Sequence, residues 1–271
     1  MKTRILAAAA LLPVLFVVIW VLPKFFTAIL FGVIGVIGAY ELLHGAGFVK
    51  QPRLIGYAMA MAVFVALWSG LWHETNVAKL GIAVFTCLLF GELLWTQTEL
   101  PFESIAITFL AGAVIPFLLC APARIQSWAD GRYVVLLPFA IAFLSDTGAY
   151  FIGCAFGKHK LAPIISPKKT VEGLIGGVLF AILGVIGYCL VLQYAFDFRV
   201  NYLYVPVYGI VGSLGAVFGD LSFSAIKRQT GIKDYGNLIP GHGGVLDRFD
   251  SMTVAAPLTE LLMLYIPLVV K

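Results

Sequence analysis

Residues 171–195 read VEGLIGGVLFAILGVIGYCLVLQYA, with a single charged side chain, Glu172, at the second position. The stretch exceeds the roughly 20 apolar residues a helix needs to cross a bilayer. It lacks the polar/apolar alternation of a barrel strand, and in hydrocarbon every backbone amide must be paired within its own segment, so a spanning helix is the reading. Eight further apolar runs lie around it, at 5–22, 25–43, 54–72, 77–95, 104–122, 133–152, 203–220 and 250–269. The expectation is an all-α, polytopic integral membrane protein with about nine transmembrane helices.

Composition points the same way. Of 271 residues, 61% are hydrophobic and 12% charged, with a mean hydropathy of +0.98. A soluble domain carries about a quarter charged residues, so this chain has half the charge needed to coat a water-facing surface. That excludes disorder, a coiled coil, a disulfide scaffold and a large extramembrane domain. One integral membrane unit over 1–271 is expected, with 1–132 supplying helices of structural or lipid-facing role. Met1 to Arg4 ahead of an apolar run has the charge pattern of a secretory signal, but Leu22-Pro23-Lys24 offers no small-residue cleavage site, so an uncleaved first span is expected. Cys87, Cys120, Cys154 and Cys189 form no CxxC pair and read as small apolar packing residues.

The side of the membrane follows from the basic residues, which are retained on the cytoplasmic face. With the N-terminus inside, the inner segments hold Lys2, Arg4, Lys50, Arg53, Lys158, Lys160, Lys168, Lys169, Lys227, Arg228, Lys233 and Arg248, and the outer ones Lys24, Lys79, Arg124, Arg132, Arg199 and Lys271. Twelve against six favours an internal N-terminus and an external C-terminus, with the long polar loops facing the cytoplasm. The two long polar loops, 153–170 and 221–249, then share a compartment. The formal net charge of +4 suits an anionic substrate or an anionic lipid surface.

Three polar stretches carry the chemistry. Ser145-Asp146-Thr147-Gly148-Ala149-Tyr150 places a carboxylate inside an apolar run. A charge at the bilayer centre costs about 2.5–3.5 kcal/mol on insertion scales and faces a polar cavity in most cases; an interfacial Asp reaching water is the plainer reading. Ser166-Pro167-Lys168-Lys169-Thr170-Val171-Glu172-Gly173 predicts a helix start with Ser166 as N-cap and Pro167 at the first helical position. Lys168 and Lys169 then fall in the first turn, where the helix dipole disfavours cations, so an anion is expected beside them. Topology enforcement is the alternative for both lysines. Gly153-Cys154-Ala155-Phe156-Gly157-Lys158-His159 fails as a P-loop on both its glycine spacing and the residue after Lys158.

The third stretch runs from Gly219 to Ser251. If the eighth helix continues past Asp220, spacings of four (220 to 224), three (224 to 227) and four (224 to 228) put Asp220, Ser224, Lys227 and Arg228 along one face, combining a metal ligand with anion partners. Lys233 and Asp234 follow, then Pro240-Gly241-His242-Gly243-Gly244-Val245-Leu246-Asp247-Arg248-Phe249-Asp250. Asp247 and Asp250 are three apart, about 60° around a helix, and can point into one cavity; helix capping explains one of them equally well. The glycines around His242 permit close approach to a ligand, and His242 is open to phosphate binding, proton donation or loop packing. His44, His73 and His159 lack partners at metal-ligand spacing, and Glu41, Glu92 and Glu260 read as interfacial or helix-pairing residues.

The pattern Ser-x-Ile-Lys-Arg, Lys-Asp, Pro-Gly-His-Gly-Gly-x-x-Asp-Arg-x-Asp at 224–250 resembles the signature of phosphatidate cytidylyltransferases, the CDP-diacylglycerol synthases. The 145–150 and 166–173 stretches resemble that family's other shared blocks, and the likeness covers 142–251, the expected catalytic region. Phe223 departs from it, standing where many members carry Glu. The resemblance implies cytidylyl transfer from CTP to phosphatidate with Mg²⁺, and leaves room for a second cation. It implies Asp220, Asp247, Lys227, Arg228 and Lys169 as catalytic residues. Asp146, Ser166, Lys168, Thr170, Ser224, Lys233, Asp234, His242 and Arg248 are expected to bind substrate, and Asp220, Asp247 and Asp250 to hold the metal. The expected partners are CTP, phosphatidate and membrane lipid, with no nucleic acid; a homodimer is left open. Two rivals remain at this point: a CTP-dependent enzyme acting on an isoprenoid ether lipid or a lipid alcohol, and a transporter of phosphorylated anions.

Overall fold

The computed structural model describes residues 13–72, 74–97, 99–238 and 243–270. Among them, seven helical segments are long and apolar enough to cross a membrane: Lys24–Gly45, Pro52–Trp72, Thr75–Trp95, Phe102–Leu119, Gly131–Phe156, Val171–Phe196 and Tyr202–Gln229. The protein is all-α and polytopic. The first expected span, 5–22, lies partly outside the described residues. The last, 250–269, contains a helix of only 14 residues, Met252–Tyr265, which at 1.5 Å per residue covers about 21 Å of a hydrocarbon core about 30 Å thick. The chain divides into two compact units, 1–132 with 229–249 and 133–228 with 250–271, so the 142–251 stretch is shared between them.

The first unit holds α1 (Lys24–Gly45), α2 (Pro52–Trp72), α3 (Thr75–Trp95) and α4 (Phe102–Leu119), followed by the short α5 (Ala121–Ser127). Small side chains let α1 lie close on α2: Ala28, Ala39, Ala58, Ala62 and Ala66 are all buried. Glu92 of α3 is satisfied from α2, where Tyr57 donates a hydrogen bond at 3.2 Å and Arg53 forms an ion pair at 3.5 Å. That agrees with its reading as a helix-pairing residue. The 229–249 segment ends in one helical turn, α9 (Leu246–Phe249).

The second unit is built on α6 (Leu137–Phe156), α7 (Val171–Phe196) and α8 (Val205–Gln229), with α10 (Met252–Tyr265) packed on α6. The α6–α7 pair touches backbone to backbone. A Cβ on Gly148 would sit 2.7 Å from the Gly176 carbonyl, and one on Gly177 would sit 2.9 Å from the Ser145 carbonyl. In lipid such small-residue seams replace the hydrophobic drive between helices. A buried hydroxyl pair, Ser145 with Ser213 at 2.7 Å, ties α6 to α8. Below it Leu137, Ile141, Ala181, Val185, Cys189, Val205 and Tyr208 form an apolar core. All four cysteines are free thiols; Cys120 and Cys189 are buried, Cys87 and Cys154 exposed.

The 153–170 loop corrects one expectation. Ser166–Thr170 is not a first helical turn but a strand, β2, paired antiparallel with β1 (Lys160–Ala162). The helix begins at Val171, and its N-cap is Thr170, whose hydroxyl accepts the Gly173 N–H at 3.1 Å. Threonine is a good cap and β-branched, and Pro167 cannot donate to a ladder, so a two-stranded edge suits this segment. Glu172 then accepts the N–H groups of Lys158 (3.1 Å) and His159 (3.2 Å) and pairs with the His159 ring at 2.6 Å, closing the hairpin onto the helix. A second small ladder pairs β3 (Arg199–Val200) with β4 (Val269–Val270).

Candidate active site

In the second unit, α8 runs without interruption through Gln229, so Asp220, Ser224, Lys227 and Arg228 share one helix as the spacing requires. Gly219 lets the 250–251 turn come against that helix: a Cβ there would meet the Asp250 carbonyl at 2.5 Å. Asp220 receives the Ser224 hydroxyl on Oδ1 at 3.2 Å and forms an ion pair through Oδ2 with Lys169, delivered by β2. Asp250 is buried, accepts the Ser251 N–H at 2.7 Å, and feels the charges of Asp220, Lys227 and Asp146. Lys227 is buried as well, where an ammonium needs anionic company, and Asp250 feels its charge. Arg228 is exposed and donates to the Ile165 carbonyl at 3.2 Å, holding the hairpin tip toward α8.

Beside this cluster is a cavity of about 210 Å³. Asp146, Lys168, Lys169 and Thr170 supply its polar side, and Ala149, Tyr150, Leu161, Leu174 and Val217 its apolar side. Such a wall suits a ligand with a charged head and a greasy body. Of the residues expected from sequence, this unit therefore gathers Asp146, Lys168, Lys169, Thr170, Asp220, Ser224, Lys227 and Asp250, with Ser166 at the far end of β2 and Arg228 hydrogen-bonded to the hairpin tip.

Lys233, Asp234, Asp247 and Arg248 belong to the first unit. Asp247 is buried, and its Oδ2 accepts the N–H groups of Tyr235 at 2.8 Å and Gly244 at 3.0 Å. Lys233, Asp234 and Arg248 are exposed. Gly243 adopts φ +86°, a left-handed conformation natural to glycine. His242 lies outside the described residues. Phe223, at the position where the resemblance departs, is a buried packing residue of α8.

Sequence reasoning passed over Glu172 and read Glu41 only as interfacial or helix-pairing. Glu172 holds the hairpin, a role that its place in the first turn of α7 makes legible. Glu41 binds the 245–246 backbone across more than two hundred residues, for which no local signal exists.

Among the described residues no three His, Cys, Asp or Glu side chains converge into a ready metal cage. Magnesium does not require one, because it is usually held by one or two carboxylates together with substrate phosphates. Asp220 and Asp250 are oxygen donors of the right kind, and the Lys169 ammonium already on Asp220 marks that carboxylate as facing a cation.

The sequence matches the model of the cytidylyltransferase family over residues 2–266. It is 32% identical to the phosphatidate cytidylyltransferase of Staphylococcus haemolyticus over 267 residues, 97% of each chain. It is 33% identical to that of Staphylococcus aureus over 268 residues, covering 97% of this chain and 99% of the relative. To the phosphatidate cytidylyltransferase of Staphylococcus epidermidis it is 34% identical over 219 residues, 80% of this chain and 81% of the relative.

Proposed function

Because this chain belongs to the cytidylyltransferase family, we propose that it transfers the cytidylyl group of CTP to phosphatidate, releasing pyrophosphate and leaving CDP-diacylglycerol in the bilayer. The observation that carries this reading is the Lys169–Asp220 pair beside a cavity with one polar and one apolar wall. Cations there meet phosphate, and the apolar wall accepts the first carbons of the lipid.

The chemistry asks little of a general base. A phosphomonoester carries a charge of about −1.5 to −2 near neutral pH, so the attacking oxygen is already an anion. It forms a bond to the α-phosphorus of CTP, the bond to the bridging oxygen breaks, and the electron pair leaves with pyrophosphate. Repulsion between the two anions is the obstacle, and fixed positive charge lowers it. Lys168 and Lys169 are assigned to the lipid phosphate, with Asp146 and Thr170 lining its pocket. Lys227, Arg228, Lys233 and Arg248 are assigned to the triphosphate. Ser224 steadies Asp220. Asp220 and Asp250 are the proposed magnesium ligands of the second unit, and the signature pattern assigns Asp247 to the metal as well. When bound, magnesium supplies charge neutralisation on the nucleotide phosphates.

The 153–170 and 221–249 loops are assigned to the cytoplasmic side, where CTP is available; their share of the basic residues supports this. Purified protein incubated with radiolabelled CTP, phosphatidate and Mg²⁺ should yield a labelled lipid carrying CMP. Label that stays wholly in the aqueous phase would overturn the reading.

A further inference from the structure

Glu41 lies in the last turn of α1, and its carboxylate is directed at backbone rather than at another side chain. One oxygen accepts the Val245 N–H at 3.0 Å and the other the Leu246 N–H at 2.8 Å. The residue is 4% exposed, and burial of a carboxylate is tolerable only with such charge-assisted bonds. The next N–H upstream, that of Gly244, goes to Asp247 at 3.0 Å. Three consecutive amides are thus divided between two carboxylates, one of them Asp247 itself.

Gly236 and Gly244 fit against Glu41 with no room to spare. A Cβ on Gly244 would lie 2.5 Å from each Glu41 carboxylate oxygen, and one on Gly236 would lie 2.4 Å from Oε1. From the α1 side, a Cβ on Gly45 would meet the Tyr235 carbonyl at 2.2 Å. Tyr235 and Gly236 on one side and Gly244, Val245 and Leu246 on the other are therefore seated on the end of α1, with Glu41 at the centre of the contact.

We propose that Glu41 is a positioning residue for the reaction: by clamping Val245 and Leu246 it sets the direction in which Asp247 is presented. This rests on the reading of Asp247 as a magnesium ligand. Carboxylates that bind metal are themselves held by hydrogen bonds, and loss of such an outer partner typically costs 10–100-fold in metal affinity or activity.

Two variants test it from opposite sides. Glu41→Gln keeps the volume but sets an NH₂ group against a backbone N–H, whereas Gly244→Ala drives a methyl group at the same carboxylate and leaves its charge intact. For each, three quantities are measured in detergent: the Mg²⁺ concentration that half-saturates turnover, the rise in melting temperature caused by Mg²⁺ with CTP, and the melting temperature without either. Both variants should raise the half-saturating Mg²⁺ by about 10–100-fold and lose most of the ligand-induced rise, with KM for phosphatidate unchanged. An unaltered Mg²⁺ response, with activity falling only in step with the metal-free melting temperature, would overturn the proposal and leave Glu41 a fold-stabilising residue. Asp247→Asn, measured alongside, separates the two failures. If it leaves the Mg²⁺ response intact, the reading of Asp247 falls and the proposal with it. If it abolishes that response while the other two variants keep it, the positioning role alone falls. Should Glu41→Gln not fold, Gly244→Ala carries the test.

Discussion

Asp220 meets a hydroxyl on one oxygen and an ammonium on the other, so its charge is held in place rather than left to solvent. Asp220→Asn preserves shape and the Ser224 contact while removing the charge. It should lower kcat/KM by roughly 10²–10³-fold, the scale on which a preorganised electrostatic partner acts, with little change in melting temperature. Full activity in that variant would remove Asp220 from the site. Lys169→Ala should lower kcat/KM by at least about tenfold, and Lys169→Arg should recover only part, because a planar guanidinium does not reproduce a compact ammonium. An unchanged kcat/KM for Lys169→Ala would return this lysine to topology alone. These two residues were readable as candidates because a carboxylate and a lysine in an apolar chain are conspicuous. Their pairing was not, since 51 positions separate them and no local pattern links a strand to a distant helix.

Among the elements, the β1–β2 hairpin and the α6–α7 seam set where those side chains point. Moving the helix start from Ser166 to Val171 takes Lys168 and Lys169 out of a dipole that would repel them and onto a strand beside the cavity. The Ser-Pro pair misled because it satisfies local capping rules, while the tertiary contact of Glu172 with 158–159 decided in favour of Thr170. Thr170→Ala should lower stability by about 1 kcal/mol, the usual worth of an N-cap, and Thr170→Ser should retain most of it, as read by thermal unfolding in detergent. The seam offers a sharper contrast. Gly148→Ala would press a methyl group into the Gly176 carbonyl and Phe180 and should cost about 1–3 kcal/mol. Gly187→Ala on α7 meets nothing within 4 Å and should be close to neutral. Equal effects at both positions would refute backbone contact as the reason for glycine at 148.

For the whole molecule the testable statement is topological. With the native cysteines replaced, single cysteines at exposed Lys160 and Lys233 should both react with a membrane-impermeant thiol reagent from the same side, the cytoplasmic one. Labelling from opposite sides would break the shared-compartment reading of the 153–170 and 221–249 loops. The membrane class and most of the spanning segments were legible because hydrophobic length is a local property of the chain, read without knowledge of any neighbour. The reading of Glu41 as interfacial or helix-pairing shows the opposite case. Nothing around position 41 indicates that its carboxylate would hold the Val245 and Leu246 amides two hundred residues later.

The amino-acid sequence alone determined that this chain lives in lipid, where most of its spanning segments run, and which few polar residues were left to do chemistry. Each of those follows from composition and from distances along the chain. Only the tertiary structure decided that Lys169 sits on Asp220, that Thr170 rather than Ser166 begins α7, and that Glu41 holds the backbone ahead of Asp247. Those choices depend on which buried donors find acceptors once the helices have packed, and that is settled in space.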